Sequence, residues 1–88
     1  MDMEKKPRPQ PHPVKLLFQR QGKGSGVTRI EQLILHPRLK EDLLKRFKQR
    51  RACGGAVDNG ALVLQGDHRD FVEAELRALG YEVRRHGG

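Results

Sequence analysis

Three glycines at alternate positions, Gly22, Gly24 and Gly26, stand in the stretch FQRQGKGSGVTRI (18–30), with Arg20 and Lys23 among them and Gln21, Ser25 and Thr28 alongside. Glycines free backbone N–H groups. Together with two bases and two hydroxyls, those groups can grip a phosphate without reading a base. Two nucleotide-cradling motifs fail on spacing. The G-x-x-x-x-G-K-[ST] loop needs its lysine directly after the second glycine, and Lys23 follows the wrong one. The dinucleotide fingerprint G-x-G-x-x-G needs a helix next, whereas a β-branched run follows here. What remains is the tip of a hairpin, either a plain flexible loop or one that touches backbone phosphates.

The other reactive side chains form no constellation. His68-Arg69-Asp70 imitates the catalytic loop of a protein kinase, but Glu75 stands where the metal-binding asparagine belongs, and 88 residues cannot hold the rest of that enzyme. Asp67 and Asp70 read instead as residues of a helix start, with Asp67 as N-cap. His12, His36, His68 and His86 are scattered and lack zinc-ligand spacing beside a single cysteine. Cys53 becomes a reactive thiol only if Arg50 and Arg51 lower its pKa, and otherwise reads as a small half-buried residue at a helix end. No cofactor or metal is expected, and no catalysis.

The elements that must position these residues follow from periodicity. Val14, Leu16 and Phe18 alternate, so Val14–Arg20 reads as a strand. Val27–Leu35 reads as a second strand whose alternation breaks between Val27 and Ile30, by a bulge or an early end. Pro37 suits the first position of a helix that runs to about Arg51, with Leu39, Leu43 and Phe47 as its stripe and Leu44 beside it. Gly54-Gly55 after Cys53 would end it. Asn59-Gly60 marks a type I′ hairpin in 56–65. A second helix follows to about Leu79 with Val72, Leu76 and Leu79 inside, Gly80 stops it, and 81–85 forms a last strand. The order β-β-α-β-β-α-β implies an α+β fold, a two-layer sandwich of two helices on one face of a mainly antiparallel sheet. Phe18, Phe47, Phe71 and Tyr81 all fall in these elements and read as core. Residues 1–13, with Pro7, Pro9, Pro11 and Pro13, read as a disordered tail, and 14–88 as the single domain.

Charge is the strongest functional signal. Eighteen Lys and Arg oppose eleven Asp and Glu, a net +7. Residues 14–36 carry +3 and 37–51 carry +5, so this half of the chain holds +8, more than the whole. A polyanionic partner is expected. No apolar run approaches the ~20 residues of a membrane span, and the N-terminus lacks the apolar core of a secretory signal. The chain therefore reads as cytoplasmic. Neither the aromatic strand of an RRM nor the GxxG of a KH domain is present, which leaves binding through backbone and shape.

The sequence GVTRI after a basic glycine loop, the basic helix, CGGAV, NGALVLQGDHRDFV and ALGYEVRRHGG together resemble eukaryotic translation initiation factor 1 and its archaeal and bacterial relatives, over about residues 14–88. The closing segment is most similar to the bacterial branch. Two departures stand out. The loop RQGKGSG has fewer bases than the lysine-rich versions of that family, and RIEQL replaces an Ile-Thr-Gly-Leu-like run. The resemblance implies an α/β sandwich that binds the small ribosomal subunit near the P site and acts on start-codon and initiator-tRNA fidelity. It implies ribosomal RNA contacts by the first loop and first helix: Arg20, Gln21, Gly22, Lys23, Gly24, Ser25, Gly26, Thr28, Arg38, Lys40, Lys45 and Lys48. The expected partners are ribosomal RNA of the small subunit, initiator tRNA and other initiation factors, with the protein a monomer and no membrane involved. The alternative is a general binder of structured nucleic acid.

Overall fold

The computed structural model describes residues 9–87. The elements are β1 (Val14–Arg20), β2 (Gly26–Glu31), α1 (Pro37–Arg51), β3 (Gly55–Asp58), β4 (Ala61–Gln65), α2 (Arg69–Ala78) and β5 (Val83–His86). They form one sheet in the order β3-β4-β2-β1-β5. β1 and β2 make an antiparallel hairpin in register from Lys15↔Glu31 to Arg20↔Gly26. β4 pairs antiparallel with β2 and with β3, while β5 joins β1 in parallel, Val14 opposite Val83. α1 packs on β3 and β4, and α2 on β1 and β5. The expected α+β sandwich is therefore present, with one parallel pairing at its edge.

One face of the sheet supplies the core. Val14 and Leu16 of β1, Ile30 of β2 and Leu62 and Leu64 of β4 meet Leu44 and Phe47 of α1 and Val72 and Leu76 of α2, all buried. Phe47 meets Phe71 edge to face, with centroids 5.6 Å apart. The broken alternation in β2 has a single cause. Its register with β1 runs without a bulge, Phe18 opposite Thr28 and Leu16 opposite Ile30. The inward position between Gly26 and Ile30 is simply taken by a threonine. Thr28 is fully buried, its Oγ1 donating to Gly66 O (2.7 Å) and accepting from His68 N–H (2.8 Å). A hydroxyl with both functions paired can occupy a core site without a desolvation penalty.

β2 ends at Glu31, short of Leu35, because Gln32 turns left-handed at φ 61°. The turn is held from the N-terminal side. Gln10 is buried, and its Nε2 donates to Gln32 O (2.8 Å) while its Oε1 accepts from Ile34 N–H (2.8 Å). The expectation of disorder across 1–13 is thus corrected at Gln10, which is part of the packed structure; residues 1–8 lie outside the described ones.

The helix ends also depart from expectation. His36 caps α1, its Nδ1 accepting from Arg38 N–H (3.1 Å), with Pro37 at the first position. At the other end Ala52, not a glycine, adopts the left-handed conformation (φ 51°, ψ 48°). Gly55 serves a different need: a Cβ there would sit 2.3 Å from Val63 O, so only glycine lets β3 lie this close to β4. α2 starts one residue late, with His68 at the N-cap position and no side-chain cap bond, and Asp67 before it accepting from Arg69 N–H (3.3 Å). It closes with Gly80 left-handed (φ 98°), Tyr81 N–H donating to Leu76 O (3.0 Å) and Gly80 N–H to Arg77 O (2.9 Å). That is a Schellman closure. Two stripe residues face outward instead of inward. Leu39 is 50% and Leu79 47% exposed, and both line an apolar groove between the helices. α1 is rotated so that Leu44 and Phe47 take the core position. Tyr81 lies in the loop before β5.

Candidate nucleic-acid interface

The first loop is a tight tip on the β1–β2 hairpin. Gly22 and Gly24 hold φ of 68° and 66°, left-handed values that glycine adopts without a Cβ penalty. Gln21 N–H donates to Ser25 O (3.0 Å), and Ser25 Oγ–H donates to Gln21 O. The Ser25 hydroxyl thus closes the loop rather than extending from it. Arg20, Gln21, Gly22, Lys23, Gly24 and Ser25 are all exposed, and a Cβ at Gly24 would meet nothing within 4 Å.

Two expected loop contacts are corrected. Gly26 is buried: a Cβ there would lie 2.3 Å from the Phe18 ring and 2.8 Å from Gln19 O. Its own carbonyl accepts from Gly66 N–H (2.9 Å). Thr28 is sealed in the core with its hydroxyl spent on Gly66 and His68. Both residues build the hairpin base and cannot reach a ligand.

The helix contributions divide by position. α1 has 15 residues, so its ends are about 22 Å apart. Its C-terminal end lies near the glycine loop, since Arg51 Nε–H donates to His68 Nδ1 (3.1 Å) and His68 N–H reaches Thr28 just past Gly26. Its start lies by the β3–β4 turn, where Lys40 Nζ donates to Gly60 O (2.8 Å). Lys48 therefore stands at the loop end, Lys45 about one turn back, and Arg38 and Lys40 at the far end. Arg38 and Lys45 are exposed; Lys40 and Lys48 are half-buried.

Ion pairing divides the cations. Lys15, Arg29, Arg46, Arg50, Arg69, Arg77 and Arg85 all pair with carboxylates. Arg20, Lys23, Arg38, Lys40, Lys45 and Lys48, the six basic residues expected to face RNA, form no ion pair with a described residue. Their charge is left for an outside anion. Arg51, one of the basic positions of 37–51, and Arg84 of β5 also form no ion pair with a described residue.

The reactive alternatives lose ground. Burial pushes the Cys53 thiol up against the opposing pull of Arg51 and Lys48, so it is not an activated thiolate. Among the described residues no three His, Cys, Asp or Glu side chains cluster as metal ligands, and no helix is long and apolar enough to cross a membrane.

Comparison with known proteins agrees with this architecture. A translation factor SUI1 homolog of Ignicoccus hospitalis is 40% identical over 68 residues, 77% of this chain and 65% of that protein. An uncharacterized protein of Haemophilus influenzae is 39% identical over 66 residues, 75% of this chain and 62% of its own length. The uncharacterized protein YciH of Escherichia coli is 38% identical over 66 residues, 75% and 61% respectively. The chain thus spans less than two thirds of the length of these relatives. Residues 10–82, from the buried Gln10 through both hairpins and both helices, match the family described as translation initiation factor SUI1, and the chain belongs to that family.

Proposed function

We propose that this protein acts in translation initiation by binding ribosomal RNA of the small subunit near the P site, without catalysis. It grips backbone phosphates with Arg20 and Lys23 of the loop and with Arg38, Lys40, Lys45 and Lys48 of α1. By occupying the decoding region it biases start-codon and initiator-tRNA selection, working in the cytoplasm as a monomer alongside other initiation factors. The observation that carries this reading is the sorting of cations: Arg20, Lys23, Arg38, Lys40, Lys45 and Lys48 lack carboxylate partners among the described residues, and the family is one of initiation factors.

The test is the salt dependence of affinity for purified small subunits. Each phosphate contact contributes about 0.9 to the slope of log affinity against log salt on duplex-like nucleic acid. About five contacts would weaken binding on the order of 500-fold between 50 and 200 mM salt. Arg20→Ala with Lys23→Ala should lower the slope by about two. A flat salt response would contradict the reading. Equal affinity for duplex DNA would favour a general binder of structured nucleic acid.

A further inference from the structure

We propose that the apolar groove between α1 and α2 is a docking site for an extended, basic, proline-containing segment of a partner protein. It uses none of the cations assigned to RNA.

The groove has a volume of about 400 Å³ and is mainly apolar, with Leu39 and Leu43 of α1, Leu79 at the end of α2 and Tyr81 among its lining. Apolar exposure concentrates here. Ile34, Leu39 and Leu79 are the large apolar side chains most open to solvent among the described residues, and two of them line this groove. An apolar surface left open beside charged groups is the kind that a partner covers.

Charge selects the kind of partner. Two charged residues line the groove, Asp42 and Arg46. Arg46 is neutralised, its Nη2 standing 3.3 Å from Oε1 of Glu75. Asp42 is exposed and forms no ion pair with a described residue, although the chain carries seven more bases than acids. Elsewhere the carboxylates are matched: Glu31, Asp58, Asp67, Asp70, Glu73 and Glu75 all hold arginines. The uncompensated charge of the groove is therefore negative, on a molecule that is net positive. Apolar walls with one free carboxylate are complementary to apolar side chains followed by a lysine or arginine.

The shape of the ligand follows from what already lies in the groove. Pro9 lines it, with ring carbons 3.7 Å from where a Cβ of Gly80 would stand. The next residue, Gln10, is pinned by its bonds to Gln32 O and Ile34 N–H, so the proline is held in place. The groove thus accepts a proline ring from a non-helical segment at one end, while Leu39, Leu43 and Asp42 leave the rest uncovered. A proline-rich ligand is extended before it binds and loses little entropy on docking beside an aromatic ring such as Tyr81.

The experiment titrates the full chain with two short synthetic peptides of alternating proline and leucine, one flanked by arginines and the other by glutamates, while backbone amides are followed by NMR. The arginine-flanked peptide should shift the Leu39, Asp42, Leu79 and Gly80 amides saturably and leave those of Lys23 and Gly24 unmoved. Asp42→Asn should weaken it about 3-fold, and Leu39→Ala about 5-fold. Asp42→Lys should reverse the preference in favour of the glutamate-flanked peptide, a change that a merely structural Asp42 would not produce. The absence of a saturable shift at the groove would overturn the proposal. So would unchanged affinity in both Asp42→Asn and Leu39→Ala, which would place the peptide elsewhere. A concentration-dependent dimer that Leu39→Ala dissociates would give the groove to a second copy of the chain. Groove amides that move in Lys5→Glu/Lys6→Glu without any peptide would give it to the chain's own N-terminal segment. Either result overturns the partner reading.

Discussion

Gln32 holds a left-handed backbone at φ 61° that a side chain normally resists, and the buried amide of Gln10 bonds its carbonyl. The cost of that conformation for a residue with a Cβ is about 1 kcal/mol. Gln32→Gly should therefore raise stability by about 1 kcal/mol, less a few tenths for the added freedom of the unfolded chain. Urea unfolding checks this, and a variant less stable than wild type would contradict the backbone account. Thr28 is the reverse case, a polar residue that stabilises by being fully paired. Thr28→Val keeps the shape and strands Gly66 O and His68 N–H, with an expected loss of about 1–3 kcal/mol in the same assay. Thr28→Ser should recover most of that loss by restoring the hydroxyl. Unchanged stability in Thr28→Val would show that the two backbone groups find other partners.

The element boundaries depend on these single residues, and this explains what the sequence could and could not disclose. β1, both hairpins and the start of α1 were legible because each has a local signal: alternation at Val14, Leu16 and Phe18, Asn59-Gly60 for the turn, Pro37 for the helix start. The left-handed end of α1 at Ala52 and the outward turn of Leu39 and Leu79 had none. A four-residue leucine repeat fixes a stripe only to within one neighbour, and the sheet chose the Leu44–Phe47 side. In the interface, the exposed loop bases were legible from composition. The removal of Gly26 and Thr28 from it was not, since their burial depends on Phe18 and the Gly66–His68 backbone, contacts between distant parts of the chain. At this scale α2 also makes a prediction about pH. Bonds from Arg77 (2.9 Å) and, next, Arg85 (2.8 Å) hold the Glu73 carboxyl below its ordinary 4.5. The Arg69 bonds hold Asp67 below 3.8. A lowered folded-state pKa gives stability that is complete above the ordinary value and is lost as pH falls through the lowered one. Urea midpoints should therefore drop as pH falls below 4.5, and the drop should be smaller in Glu73→Gln. Equal drops would mean that the Glu73 pairs do not couple to folding.

At the scale of the whole molecule, charge is sorted rather than spread. Carboxylates are matched to the arginines that tie α2 to α1 and β5, namely Arg46 with Glu75 and Arg85 with Glu73 and Asp70. Arg20 and Lys23 of the glycine loop and Arg38, Lys40, Lys45 and Lys48 of α1 are left unmatched among the described residues. A cluster of cations without internal carboxylate partners favours a polyanion and draws it in at low ionic strength. Under the proposed function, this surface recognises the small ribosomal subunit in preference to nucleic acid at large. The most direct measurement is co-sedimentation of the protein with separated small and large subunits, with duplex DNA as competitor, at moderate salt. The account predicts stoichiometric binding to the small subunit, little to the large one, resistance to excess DNA, and loss of the pellet fraction in the Arg20→Ala/Lys23→Ala variant. Equal binding to both subunits, displaced by DNA, would contradict it.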